Sequence, residues 1–185
     1  TEMRGVVTLR ALTHDDLPAV LSWRADQRVR HRLRTPYLLT EAMQRDWFDG
    51  LSSNRQGLSR YWAVDGGGAL VGMVGIINIQ WENRLAEIAH LADPNLSDPE
   101  PLWREMLAAV LEEGHQRMNL KVLHGECYTC DFWAVGFWQR MVTFYRGDGI
   151  MLPGVRKYWN GQYWPSFAYA FTQRHIDNPT DAGTF

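Results

Sequence analysis

The chain has 185 residues, of which 45% are hydrophobic and 22% are charged, a composition typical of one globular domain with a substantial core. Its 19 basic and 21 acidic residues give a net charge of −2, which excludes a generally basic nucleic-acid-binding protein and leaves only local clusters to consider. No run of 18 apolar residues and no signal-like N-terminus is present, so we expect a cytoplasmic protein without a membrane partner.

The chain begins with a predicted strand and a helix that ends in a cluster of arginines. Residues 6–12 (VVTLRAL) are rich in residues that favour strands, and Thr13 followed by Asp16 is typical of a helix start. The helix should bury an apolar face that ends at Trp23. Five arginines then fall within eleven residues, namely Arg24, Arg28, Arg30, Arg32 and Arg34. A solvated helix end is the usual explanation, and the functional alternative is a rim that binds anions.

A second helix is predicted over residues 41–51, with Thr40 as its N-cap. Apolar residues at helical spacing predict the stripe that it buries. The stripe consists of Met43, Trp47, Phe48 and Leu51.

Residues 61–64 and 69–79 are predicted to pair as a hairpin across a glycine-rich turn. The second run is almost continuously apolar, which predicts a strand covered on both faces. Two glycines within it, Gly72 and Gly75, indicate a bulge or a close approach of another chain segment.

A strand, a turn rich in proline and a long amphipathic helix are predicted over residues 85–119. The compact apolar run 85–92 predicts the strand. Pro101 suits the first turn of the helix, and Ser97 or Asp98 is a suitable cap. Backbone N–H groups at such a helix start are a general site for an anion.

The rest of the chain is predicted to form a strand, a helix and a hairpin. They occupy residues 121–128, residues 131–144 with Asp131 as cap, and residues 151–159 with 163–172 around the turn Asn160-Gly161. Residues 174–185 are polar and should form a flexible tail, so we expect one domain over residues 1–173. This order of elements predicts an α/β or α+β mixed sheet with helices on both faces.

Cys127 and Cys130 are spaced C-x-x-C. One pair is too few for a four-ligand zinc site and the histidines are distant in sequence, so we expect no metal. Redox chemistry is a minor alternative, because the pair lies between a predicted strand and a predicted helix. We expect reduced structural thiols.

Three dipeptides carry a resemblance to a known family, namely Trp23-Arg24, Val29-Arg30 and Trp47-Phe48. With the order of elements over about residues 6–172, they resemble the GCN5-related N-acetyltransferase (GNAT) superfamily. The similarity is to the branch that acetylates amino-sugar nucleotides and the N-termini of ribosomal proteins. The resemblance implies a GNAT-like fold, with a central and mostly antiparallel sheet between helices, and an acyltransferase that uses acetyl-CoA or another acyl-CoA.

The resemblance places the acyl-CoA site around the end of the strand 85–92 and the helix that follows. The residues that it assigns to the co-substrate are Leu91, Ala92, Asn95, Leu96, Ser97, Trp103 and Trp138. This chain departs from the family here, because residues 95–101 contain no glycine, no basic residue and two prolines without N–H donors. Asp98 and Glu100 should each repel a pyrophosphate by roughly 1 kcal/mol at about 4 Å in water. Trp138 replaces the tyrosine that often protonates the leaving thiolate in the family.

Glu87 and His90 are the candidate catalytic residues, because the matching strand often supplies a base to the family's reaction. Their spacing directs them to opposite faces of a regular strand. A hydrogen-bonded structural residue beneath a helix is the alternative for each. His124 and Glu126, on the next strand, are weaker candidates.

The arginine cluster approaches the acceptor in the family branch that this chain resembles. The residues predicted to bind the substrate are Arg24, Arg28, Arg30, Arg32, Trp47 and Asn78. Such a cluster suits a nucleotide-sugar diphosphate or a nucleic-acid backbone, and nearby aromatic rings suit a stacked base, so tRNA is one alternative partner through residues 24–34.

The sequence therefore favours an N-acyltransferase that moves an acyl group, expected to be acetyl, from acyl-CoA to the primary amine of a small molecule or peptide. Two alternatives stay open. In the first, the acyl donor is an aminoacyl-tRNA or a carrier-protein thioester. In the second, the chain is a non-catalytic binding protein of the same fold. We expect a monomer or a homodimer.

Overall fold

The computed structural model describes residues 7–53 and 57–173, which form one mixed sheet with helices on both faces. A 3₁₀ turn over His14–Asp16 precedes the first helix, and a π-helical turn over Glu113–Arg117 extends the fourth. The elements in chain order are β1 (Thr8–Ala11), α1 (Leu17–Ala25), α2 (Gln27–Arg30), α3 (Glu41–Ser52), β2 (Arg60–Gly66), β3 (Ala69–Gln80), β4 (Leu85–Ala92), α4 (Glu100–Glu112), β5 (Val122–Tyr128), α5 (Phe132–Tyr145), β6 (Asp148–Trp159) and β7 (Gln162–Thr172).

The sheet has the strand order β1-β2-β3-β4-β5-β7-β6. Every neighbouring pair in it is antiparallel except β4 and β5, which are parallel because α4 carries the chain back across the sheet. The predicted mixed, mostly antiparallel sheet is therefore confirmed.

The central strands are apolar on both sides because both faces are covered. Val74 and Ile88 belong to the larger core cluster, which also contains the buried faces of α4 and α5. Met73 follows Gly72 on β3 and pairs with Leu91 of β4. These two side chains belong to a second cluster, with Val20 of α1. Because side chains alternate along β3 and β4, these strands contribute residues to two hydrophobic cores, one on each face of the sheet.

β4 and β5 separate after a short stretch of pairing. Their parallel register runs only from Leu85 with Val122 to Glu87 with His124. Beyond Glu87, β4 continues against β3 as far as Ala92, while β5 continues against β7 as far as Tyr128. A splay therefore opens between the two strands towards their C-terminal ends.

Several local predictions are confirmed. Thr40 Oγ1 accepts a hydrogen bond from the Met43 N–H at 3.2 Å, as an N-cap does. Asp131 caps α5 by accepting the Ala134 N–H at 3.1 Å. In the β6–β7 turn, Asn160 and Gly161 have φ values of 50° and 81°, which suit a type I′ hairpin.

Two local predictions are wrong. Met43 is 45% exposed whereas Gln44 is only 3% exposed, because α3 borders an open cavity on the side where the stripe was expected. The N-cap of α4 is Pro99 and not Ser97 or Asp98. Asp98, the residue before the N-cap, accepts the Glu100 N–H at 3.2 Å. Val6 and the predicted tail 174–185 lie outside the described residues.

Within the described ranges, none of the helices combines the length and apolar content that a bilayer span requires.

Gly72 is predicted to be essential for packing, since a Cβ there would lie 2.9 Å from the Leu91 carbonyl oxygen and 3.1 Å from the Met106 sulfur. We expect Gly72→Ala to lower the free energy of unfolding by about 1–3 kcal/mol through overpacking. Gly50 of α3 is the matched control, because a Cβ there would meet no atom within 4 Å. Gly50→Ala should stabilise by about 0.5–1 kcal/mol. Urea unfolding measures both, and equal effects would contradict the packing argument.

Candidate active site

A cavity of about 450 Å³ lies between the sheet and the layer made by α1, the arginine-rich segment and α3. Its size is that of a small-molecule site. Carboxylates, guanidinium groups and phenols line it, together with an imidazole, an amide and a hydroxyl. They belong to Glu87 and Glu126, to Arg24, Arg32 and Arg34, to Tyr37, Tyr61, Tyr128 and Tyr169, and to His90, Gln44 and Thr35.

Glu87 lies at the apex of the splay, where β4 last pairs with β5. Its Oε1 accepts a hydrogen bond from Arg34 Nη2 at 2.5 Å, and its Oε2 accepts one from Asn78 Nδ2 at 2.8 Å. Asn78 occupies the irregularity between β3 and β4 with a φ of 51°, and it does not line the cavity. The Glu87 side chain is only 15% exposed and is held from two sides.

His90 packs towards α4 and α5. Its ring meets the rings of Trp103 and Trp138 edge-on, with centroids 4.2 Å and 5.1 Å away. Burial, and then the charge of Arg32, lower the pKa of His90 to about 4, so the imidazole is neutral near pH 7. Its Nδ1 has no hydrogen-bond partner among the described residues.

Tyr169 of β7 is a cavity residue that sequence reasoning missed. Its ring stacks on Trp138 at 3.9 Å, and its hydroxyl passes over Gly125 of β5, where a Cβ would lie 2.3 Å from the oxygen. Burial raises the pKa of this phenol above its ordinary value, so it retains its proton. The pairing of β7 with β5 places Tyr169 opposite Gly125. That register is the signal that could have placed Tyr169 at the cavity.

Arg32 and Asp131 close the splay between β4 and β5. Arg32 Nε lies 2.6 Å from Asp131 Oδ2, and the guanidinium carbon lies 5.6 Å and 5.4 Å from the rings of Trp103 and Trp133. Burial works to raise the pKa of Asp131, but the neighbouring His31 and Arg32 outweigh it and the pKa is lowered. The space that remains there is about 70 Å³.

The start of α4 does not fit a pyrophosphate. Asp98 already accepts the Glu100 N–H, and Pro101 has no N–H to donate. The Glu100 carboxylate forms ion pairs with Arg104 at 2.7 Å and Arg140 at 2.8 Å, so its negative charge is balanced and both guanidinium groups already have an internal partner. These residues give a CoA nucleotide no backbone site at this helix end.

The other residues predicted from the sequence are dispersed. Arg28 Nη2 lies 2.7 Å from Asp26 Oδ2 and 2.9 Å from Asn95 Oδ1, and Arg30 donates to the Pro36 carbonyl oxygen at 2.9 Å. Neither arginine lines the cavity.

Trp47 lines the cavity and meets the Tyr61 ring edge-on at 5.0 Å. Leu91 also lines it, whereas Ala92 lies in the larger core and Leu96 packs against that core. Ser97 is exposed.

The two thiols are free and away from the cavity lining. Burial raises the pKa of Cys127 to about 12 and also raises the pKa of Cys130. Both therefore stay protonated near pH 7, as inert structural thiols do.

Residues 7–131 match the sequence model of the family described as "Acetyltransferase (GNAT) domain". The chain belongs to this family. The resemblance predicted from the sequence is therefore confirmed, and this GNAT acetyltransferase is an acyltransferase. No curated protein matched the chain in sequence.

Solved structures agree on the fold. The spermidine N-acetyltransferase from Vibrio cholerae, in complex with CoA and spermine, is 17% identical with a TM-score of 0.78, and the match covers 94% of this chain and 99% of that one. RimL, a ribosomal alpha-N-protein acetyltransferase in complex with coenzyme A, is 16% identical with a TM-score of 0.72 over 92% and 96% of the two chains. At these identities the likeness establishes the fold alone.

His90 predicts a pH dependence of stability. Its pKa falls from the ordinary 6.5 to about 4 on folding, so below pH 6.5 the unfolded chain binds a proton that the folded chain does not. Stability is therefore lost as the pH falls from 6.5 towards 4, and this residue should remove about 2 kcal/mol between pH 7 and pH 5. Urea unfolding at both pH values should show that His90→Gln reduces the difference by this amount. An unchanged difference would contradict the neutral, buried imidazole.

Proposed function

We propose that this GNAT acetyltransferase transfers an acetyl group from an acyl thioester, in the simplest case acetyl-CoA, to the primary amine of a small molecule bound in the cavity. The observation that carries the proposal is the Glu87 carboxylate, fixed by Arg34 and Asn78 at the apex of the splay and facing the cavity. Segment 32–39 and α3 cover this cavity, which favours a small acceptor over a large one.

Glu87 is assigned the role of base. An amine reaches the site as an ammonium ion and becomes a nucleophile only when it loses a proton. Glu87 accepts that proton, directly or through one water, and its two hydrogen bonds keep the carboxylate oriented towards the cavity. The new N–C bond then forms while the C–S bond of the thioester breaks. The nitrogen loses a second proton at this stage, which balances the proton that the leaving thiolate takes up.

Tyr169 is assigned the role of proton donor to the leaving thiolate. Its hydroxyl is protonated, lines the cavity, and makes no hydrogen bond to another described residue. Trp138 occupies the position where the family often has a tyrosine, and it stacks on the Tyr169 ring. A phenol is thus available beside that position, but it comes from β7 and not from α5.

A donor without a nucleotide is the second candidate, and the start of α4 favours it. Pantetheine on a carrier protein presents the same thioester as CoA but has no adenosine and no pyrophosphate. Asp98 occupies the Glu100 N–H and Pro101 has no N–H, so these residues offer the pyrophosphate no backbone donor. A pantetheine arm does not need one there.

Replacing Glu87 tests the proposed base. We expect Glu87→Gln to lower kcat/KM for acetyl transfer by about a hundredfold or more, because the amide cannot accept the ammonium proton. Glu126→Gln is the matched control, since Glu126 lines the same cavity and is also paired with an arginine, Arg156 at 3.0 Å, but lies on β5 beyond the point where β4 and β5 separate. The assay follows thiol release with a panel of amines, and circular dichroism checks that both variants fold. Equal losses in the two variants would remove Glu87 from this role.

Shortening the donor tests its recognition. Because the start of α4 offers no pyrophosphate site, kcat/KM with S-acetylpantetheine should lie within about tenfold of that with acetyl-CoA, a difference near 1.4 kcal/mol. Thiol release at equal acceptor concentration measures both. A preference of several hundredfold for acetyl-CoA would show that its phosphates are bound, and the account of α4 would then be wrong.

A further inference from the structure

Arg24 differs from the other arginines of the cluster because it has neither an ion pair nor a hydrogen-bond acceptor among the described residues, whereas Arg30 at least donates to the Pro36 carbonyl oxygen. Arg32 and Arg34 are paired with Asp131 and Glu87, and Arg28 is paired with Asp26. Among the described residues Arg24 forms no ion pair, and its shielded Nε has no hydrogen-bond acceptor. A half-buried guanidinium without a partner costs free energy unless something else supplies the acceptor.

The surroundings of Arg24 do not supply that acceptor. Burial lowers the pKa of Arg24, and the groups that oppose this are the phenols of Tyr37 and Tyr61, which are neutral near pH 7. Trp47 and Val20 line the same end of the cavity, and no described ring makes a cation–π contact with Arg24. Arg24 is therefore a cation among neutral phenols and apolar side chains.

Tyr61 lines the cavity together with Arg24 and Glu87. Its ring passes over Gly75 of β3, where a Cβ would lie 2.6 Å from the ring, and it reaches towards β4 across the missing side chain. The charges of both Arg24 and Glu87 act on the pKa of this phenol, which burial raises. One cavity thus holds the cationic Arg24, the phenol of Tyr61 and the anionic Glu87.

We infer that the acceptor is an amine that also carries a carboxylate, an amino-acid-like molecule whose carboxylate pairs with Arg24 while its amine faces Glu87. This inference rests on the proposed function. A guanidinium binds a carboxylate through two parallel hydrogen bonds, and an apolar surrounding strengthens that pair. An acceptor with only positive charges would leave Arg24 unbalanced and would be repelled by it.

The inference is tested with pairs of acceptors that differ only in the carboxylate. Suitable pairs are L-lysine with cadaverine, L-tyrosine with tyramine and L-tryptophan with tryptamine. In at least one pair, kcat/KM should favour the amino acid by tenfold or more, as expected for a charge-assisted hydrogen bond. A preference for the decarboxylated member in every pair would overturn the inference. O-phosphoethanolamine with ethanolamine is the further pair, and a preference confined to it would overturn the choice of carboxylate.

Variants locate the effect at Arg24. Arg24→Gln should abolish the preference within the pair, whatever its effect on the overall rate. Arg24→Lys should restore part of the preference, because the ammonium group supplies a charge but not the two parallel N–H donors of a guanidinium. Arg45→Gln is the matched control, since Arg45 is exposed on α3 and should leave the preference unchanged. An unchanged preference in Arg24→Gln would sink the inference.

Calorimetric binding of each pair in the absence of a donor separates this inference from the proposed function. If no amine is acetylated but the amino acid binds tenfold more tightly than its amine through Arg24, the acceptor class stands and the proposed transfer falls. If amines are acetylated and neither binding nor turnover favours the carboxylate, the transfer stands and the acceptor class falls.

Discussion

The site depends on the separation of β4 from β5 after three pairs of residues. Each strand keeps its outer neighbour, so the sheet is not weakened when the inner edges part. The last paired residue of β4 is Glu87, and its side chain therefore lies where the paired sheet ends and the cavity begins. Parallel strands joined by a helical crossover allow such an opening, because no tight turn holds their C-terminal ends together.

The arginine cluster illustrates how folding distributes like charges. Five arginines in eleven residues resemble an anion-binding rim in the sequence, yet the folded chain directs Arg28, Arg30, Arg32 and Arg34 to internal acceptors. These contacts turn segment 26–34 into a cover for the cavity and the splay. Of these five, only Arg24 has neither an ion pair nor a hydrogen-bond acceptor among the described residues, and it lines the cavity.

Periodicity and turn chemistry predicted most of the fold, because the apolar run of β3, the cap at Thr40 and the Asn160-Gly161 turn are local signals. They also predicted that Glu87 lies in the strand over residues 85–92. They did not reveal Tyr169, which reaches the site through the register of β7 on β5, at a long distance along the chain. Nor did they reveal that Arg24 lacks a partner, since that depends on where every carboxylate of the fold lies. Met43 was misassigned because a helix beside a cavity exposes a position that helical spacing would bury.

Arg32 borders both the acceptor cavity and the splay. Its partner Asp131 also caps α5 through the Ala134 N–H, so the carboxylate keeps a hydrogen bond when the guanidinium moves away. One side chain therefore acts as a shared wall between two compartments. Because Arg32 lines both spaces, a rotation of its side chain would change the volume of the splay and the electrostatic field of the cavity together.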